Sequence, residues 1–137
     1  MEAAAGQTQR RGREFASIPE SIGAARDHVR DSLAGTMVGA EVVGDIQLAV
    51  SELVTNAVVH GDGEPIVVQI ESSPQAVVCA VTSRLSGRPL PDPEMWTSPA
   101  QGGPTGRGLA IVRTVADAVA VDIDDSVVTV RCTFERR

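Results

Sequence analysis

From Glu20 to about Leu33 the apolar residues Ile22, Ala25, Val29 and Leu33 recur three and four apart, with Arg26, Asp27, Arg30 and Asp31 opposite them. That period predicts an amphipathic helix closed by Gly35, with His28 on its charged, solvated side. A second helical stretch runs from about Gly39 or Ala40 to Val59. Its core stripe is Val43, Ile46, Val50, Leu53 and Ala57, and Gly61-Asp62-Gly63 stops it. The period then falls to two. Pro65 to Glu71 and Ala76 to Thr82 are rich in Val and Ile and are joined by Ser72-Ser73-Pro74-Gln75, which predicts a hairpin. A short strand is expected from Glu14 to Ile18, ended by Pro19, while residues 1–13, small, polar and closing on Arg10, Arg11 and Arg13, are expected to be a flexible arm.

Ser83 to Gly106 breaks all periodicity. It holds five of the eight prolines and four glycines, and it is too long for an ordinary connection. A helix is predicted from Gly106 to about Asp117, burying Leu109, Val112 and Val115 or Ala116. Two strands follow, Ala118 to Ile123 and Ser126 to Phe134, joined across Asp124-Asp125. The order β, α, α, β, β, loop, α, β, β predicts an α/β (α+β) two-layer sandwich, with helices packed on one face of a mostly antiparallel sheet.

Composition narrows what such a domain can do. With 137 residues and 42% hydrophobic content there is material for one core and not for two. A net charge of −6 argues against a phosphate-driven nucleic-acid footprint. All 12 basic residues are arginine, so Schiff-base and P-loop lysine chemistry is excluded. Cys79 and Cys132 lie in apolar runs without a CxxC spacing, as buried thiols would, and this with the absence of a signal-peptide pattern leads to a cytoplasmic expectation. No stretch of about 20 apolar residues is evident, so no membrane span is expected.

Two constellations carry candidate chemistry. Glu52, Asn56 and His60 stand at i, i+4 and i+8 of the second helix and share a face. A carboxylate can take a proton and a carboxamide oxygen suits a hard cation such as Mg²⁺; a solvated helix face has the same pattern. Gly102-Gly103-Pro104-Thr105-Gly106-Arg107-Gly108-Leu109 runs into a helix start, where free amides and the helix dipole favour phosphate; a flexible linker ahead of a helix has the same composition.

In combination and order these stretches resemble the serine-kinase, anti-sigma-factor branch of the ATPase superfamily that includes gyrase and the histidine kinases. Glu52-Leu53-Val54-Thr55-Asn56-Ala57-Val58-Val59-His60 is similar to its N-box, and Gly106-Arg107-Gly108-Leu109-Ala110-Ile111-Val112 to its second glycine box. The resemblance implies a Bergerat-type ATPase fold over one domain, 14–137, with 83–106 as its ATP lid. It implies ATP and Mg²⁺ as cofactors, Asn56 as the Mg²⁺ ligand and Glu52 as general base. Gly106, Arg107, Gly108 and Leu109 would lie at the phosphates, and Thr129 near the adenine. Thr82 stands where the family carries an adenine-binding Asp, and a threonine can accept a hydrogen bond but bears no charge. The implied activity is that of a bacterial protein serine kinase and anti-sigma factor in transcription regulation, homodimeric, with a sigma factor and an antagonist protein as partners. A catalytically weak or inactive binding module that sequesters a sigma factor or its antagonist is the alternative.

Overall fold

The computed structural model of the chain describes residues 8–86 and 103–136, the side chains of 103–107 excepted. The described residues form β1 (Gln9–Phe15), α1 (Glu20–Leu33), α2 (Ala40–His60), β2 (Ile66–Ser72), β3 (Ala76–Arg84), α3 (Gly103–Val115), β4 (Ala118–Asp124) and β5 (Val127–Glu135). The strands make one sheet in the order β1-β2-β3-β5-β4, every neighbouring pair antiparallel. The helices cover one face of it, which is the two-layer α+β sandwich expected.

Strict alternation builds the covered face. Ile66, Val68 and Ile70 of β2, Val77, Cys79 and Val81 of β3, and Val128, Val130, Cys132 and Phe134 of β5 are all buried. They meet Ala25, Val29 and Leu33 of α1, Ile46, Val50, Leu53, Val54 and Ala57 of α2, and Leu109 and Val112 of α3. Burying a Val, Leu or Ile side chain contributes about 1.5–3 kcal/mol, so this face drives the folding. α2, 21 residues long, is long and apolar enough to cross a bilayer by length and composition, contrary to expectation, with a mean hydropathy of 1.4 over its most apolar 18 residues. Here it is the helix about which the core is built.

Three expectations are corrected. Gln9–Arg13 are not an arm: they extend β1 and pair residue for residue with β2, from Gln9 opposite Ser72 to Phe15 opposite Ile66. All of β1 except Phe15 is exposed, so main-chain hydrogen bonds hold this edge strand and its arginines discourage further pairing. His28 is not solvated. It is 8% exposed and packs edge-on against Phe15, with ring centroids 5.9 Å apart. The loop expected at 83–106 is shorter at both ends, because β3 continues to Arg84 and α3 begins at Gly103. Residues 87–102, including Trp96, lie outside the described residues.

Cys79 and Cys132 are directly opposed across β3 and β5 and are free thiols. The Cys132 thiol and burial together push the Cys79 thiol well above its ordinary value, which keeps it protonated.

Candidate functional site

Helix α2 packs against both α1 and α3 on the covered face of the sheet, and its Glu52, Asn56 and His60 are each half-buried. The contact that joins the two constellations is at Gly108. A Cβ built on Gly108 would stand 2.7 Å from Glu52 Oε1 and 3.7 Å from the Glu52 Cβ and Cδ. The carboxylate therefore rests on bare α3 backbone, an approach that only glycine permits without moving it. Two motifs separated by a long loop in the chain are thus side by side.

The far end of α2 is fastened to the end of β3. Gly61 donates its N–H to Ala57 O at 2.9 Å, and its missing side chain leaves room for the carbonyls of Ala57 and Arg84. Gly61 bridges Leu85, Asp62 N–H donates to Arg84 O at 3.3 Å, and Ser86 Oγ donates to His60 O at 2.7 Å. Asp62 also accepts from Arg84 Nε at 3.3 Å, while Leu85 N–H donates to Ser126 O at 2.8 Å. The segment entering the long loop is consequently pinned to both the helix and the β4–β5 turn.

The base-contact assignments of Thr82 and Thr129 do not fit this frame. The β3–β5 pairing is continuous, with Val81 opposite Val130, Thr82 opposite Thr129 and Ser83 opposite Val128. Val81, Val128 and Val130 face the helices, so Thr82 and Thr129 face away, where their hydroxyls share a hydrogen bond of 3.0 Å. The residue that turns toward the helices at this end of β3 is Ser83, half-buried, which sequence reasoning missed. The signal was present in the alternation: counting on by twos from Cys79 and Val81 reaches Ser83.

Among the glycine-box residues, Gly108 is the one at Glu52. Leu109 is 1% exposed and belongs to the core, so its side chain packs and binds nothing. Because α3 begins at Gly103, the amides that a helix leaves free belong to its first turn, ahead of Gly106, and Pro104 sits there without cost. The side chain of Arg107 lies outside the described residues.

The donor set suits a nucleotide's phosphate end. Among the described residues no three His, Cys, Asp or Glu gather as a protein-only metal site. Mg²⁺ commonly takes one or two protein oxygens and completes its octahedron with phosphates and water, which the Asn56 carboxamide could serve. At the other end, Ser83 offers a neutral hydroxyl and Val128 offers none.

A family model described as a histidine kinase-like ATPase domain matches residues 15–134. No curated protein sequence matches. Among solved structures, the chain is similar to the RsbU and RsbW domains of a Mycobacterium tuberculosis protein, at 20% identity and a TM-score of 0.70, over 94% of this chain and 33% of that one. The SiaB-SiaC complex of Pseudomonas aeruginosa matches at 11% identity and a TM-score of 0.64, over 90% of this chain and 88% of that one. The histidine kinase domain of a blue-light activated kinase from Erythrobacter litoralis matches at 23% identity and a TM-score of 0.51, over 84% and 59%. The likenesses show a common fold, and this chain spans about a third of the first structure's length.

Proposed function

The chain belongs to the histidine kinase-like ATPase domain family, and from that premise we propose that it is an ATP-dependent protein serine kinase acting as an anti-sigma factor. Its acceptor would be a serine on an antagonist protein. The observation that carries the reading is Glu52 Oε1 lodged against Gly108, which joins a proton acceptor on α2 to the glycine start of α3. The likeness to RsbW and SiaB-SiaC structures supports the partner-switching class.

The division of labour follows from the residues. The Asn56 oxygen would hold Mg²⁺, and the first turn of α3 would offer amides to phosphate oxygens. Glu52, one helical turn from Asn56, accepts the proton of the attacking serine hydroxyl at its carboxylate. Bound ATP with Mg²⁺ supplies the transferable phosphoryl group and the neutralising charge; the chain supplies position and electrostatics. A homodimer in the cytoplasm, with a sigma factor as the sequestered partner, completes the proposal.

One observation favours the second reading, a binding module with little turnover: the helix-facing position at the end of β3 is Ser83 and not a carboxylate. A neutral acceptor in place of a charged one costs about 1.5 kcal/mol, roughly tenfold in affinity. Calorimetric titration with Mg-ATP separates the readings. The kinase requires binding by the wild type, loss of binding in Asn56→Ala, and retained binding without phosphotransfer in Glu52→Ala. Absence of binding by the wild type, restored by Ser83→Asp, would establish the module.

A further inference from the structure

A second site lies at the opposite end of the β3–β5 pair from Ser83. There a cavity of about 320 Å³ opens between the start of β1, the end of β2 with its turn to β3, the α1–α2 connection and the residue after β5. Its walls include Arg11, Thr36, Ser72, Ser73 and Arg136, and among the described residues no acidic one lines it.

The register explains how the two arginines reach one place. Ile70 and Ser72 face the helix layer, so Arg11 and Gln9, paired with them, lie on that same face beyond the end of α1. Arg136 arrives from the other side, and the β2–β3 turn fixes it. Its N–H donates to Gln75 O at 3.1 Å and its Nη1 to Ser73 O at 2.8 Å. The ion pairs among the described residues are Arg10–Glu71, Arg30 with Asp27 and Asp31, and Arg84–Asp62; Arg11 and Arg136 have none. Two guanidinium groups without an ion pair among the described residues therefore share one cavity in a chain of net charge −6.

Ser72 adds a hydroxyl to the wall. It is 6% exposed and lines the cavity, where its Oγ is a donor for a bound oxygen. The C-terminal end of α1 would repel an anion, but that charge is engaged: Leu33 O accepts from both Thr36 N–H at 3.1 Å and Thr36 Oγ1 at 2.6 Å.

We propose that this cavity binds a small doubly charged oxyanion, a phosphate monoester or a dicarboxylate. The guanidinium forks of Arg11 and Arg136 would grip its oxygens, and the Ser72 hydroxyl would donate one further hydrogen bond. The volume is at the low end for a ligand pocket and suits a compact metabolite. The site is separate from the Glu52–Gly108 contact and does not rest on the kinase reading.

Calorimetry and thermal melting of the full chain test it, with glycerol 3-phosphate, succinate and, as a singly charged control, acetate. One or both dianions are expected to bind one per chain and raise the Tm, the stronger naming the source, with acetate at least about tenfold weaker. Arg11→Gln and Arg136→Gln each weaken binding about tenfold or more, Ser72→Ala a few-fold, and Asn56→Ala leaves it unchanged. Arg11 is exposed on an edge strand, so its variant keeps the fold and carries the test if Arg136→Gln unfolds. No heat and no Tm shift with either dianion overturns the proposal. So does binding that survives Arg11→Gln unaltered, or binding that Asn56→Ala abolishes.

Discussion

Replacing Gly108 with alanine separates packing from chemistry. The new Cβ would meet Glu52 Oε1 at 2.7 Å, whereas its 3.7 Å distances to the Glu52 Cβ and Cδ are ordinary contacts. The obstruction is thus the tip of a flexible side chain. Reaching the 3.4 Å at which ordinary contact begins requires the oxygen to move about 0.7 Å, a rotation that costs on the order of 1 kcal/mol. Alanine in a helix interior returns about 0.8–1.0 kcal/mol relative to glycine. The two terms nearly cancel, so thermal unfolding followed by circular dichroism should place the variant's stability within about 1 kcal/mol of the wild type. The displacement falls on the group proposed to take the proton, where misplacement by about 1 Å can cost on the order of a hundredfold in rate. Phosphotransfer measured with labelled ATP and an antagonist protein should therefore fall about ten- to a hundredfold, while Mg-ATP affinity changes much less. Full activity in Gly108→Ala would refute the assignment of Glu52 as the base. A loss of several kcal/mol in stability would refute the reading of this contact as a yielding one.

Gly61→Ala should behave oppositely, because its Cβ would run into the main-chain carbonyls of Ala57 and Arg84, which cannot swing aside. A loss of about 1–3 kcal/mol in urea unfolding is expected. Ser83→Asp should tighten Mg-ATP binding about tenfold in calorimetry, whereas Thr82→Asp, on the far face of the sheet, should leave it unchanged. Thr82→Val removes the 3.0 Å hydroxyl pair with Thr129 and should cost about 1 kcal/mol or less with no change in nucleotide affinity. His28 gives a pH dependence. Burial lowers its pKa below 6.5 and Arg13 lowers it further, against the backbone of Arg11 and Val68 and the Asp31 carboxylate, which raise it. The unfolded chain therefore binds the proton more readily, so stability is full above pH 6.5 and falls as pH drops toward the folded value. Its Nε2 is buried without a partner, so His28→Phe should flatten that pH slope in denaturant titrations from about pH 8 to 5; an unchanged slope would assign it to other groups.

What the sequence made legible depended on whether burial or the main chain held each element. The stripes of α1 and α2 and the inner faces of β2, β3 and β5 could be read because apolar side chains mark them at fixed periods. β1 between Gln9 and Arg13 could not, since it buries no side chain there and is held by hydrogen bonds that every residue type makes. His28 was misplaced by its chemistry. The buried set of α1 is Ser21, Ala25, His28, Val29, Ser32 and Leu33, a regular helical face, and position alone would have included it.

The base end of the site shows why motif order and side-chain direction are separate facts. Matching residues along the chain puts Thr82 at the acceptor position and Thr129 near the adenine. The two do pair in the sheet, but a one-residue step in a strand reverses the face, and both hydroxyls point from the sheet away from the helices. The residue left to face a base is Ser83, beside Val128 and close to the pinned segment formed by His60, Gly61 and Leu85. In the proposed site the phosphate end has a carboxylate, a carboxamide and a glycine, and the base end has only a neutral hydroxyl. Such a site draws its affinity from phosphates and Mg²⁺, and a base contact that ATP and ADP share multiplies both affinities by the same factor. Calorimetry of ATP and ADP on the wild type and on Ser83→Asp checks this: both affinities should rise about tenfold at an unchanged ratio, and no rise in either would mean that Ser83 does not reach the base.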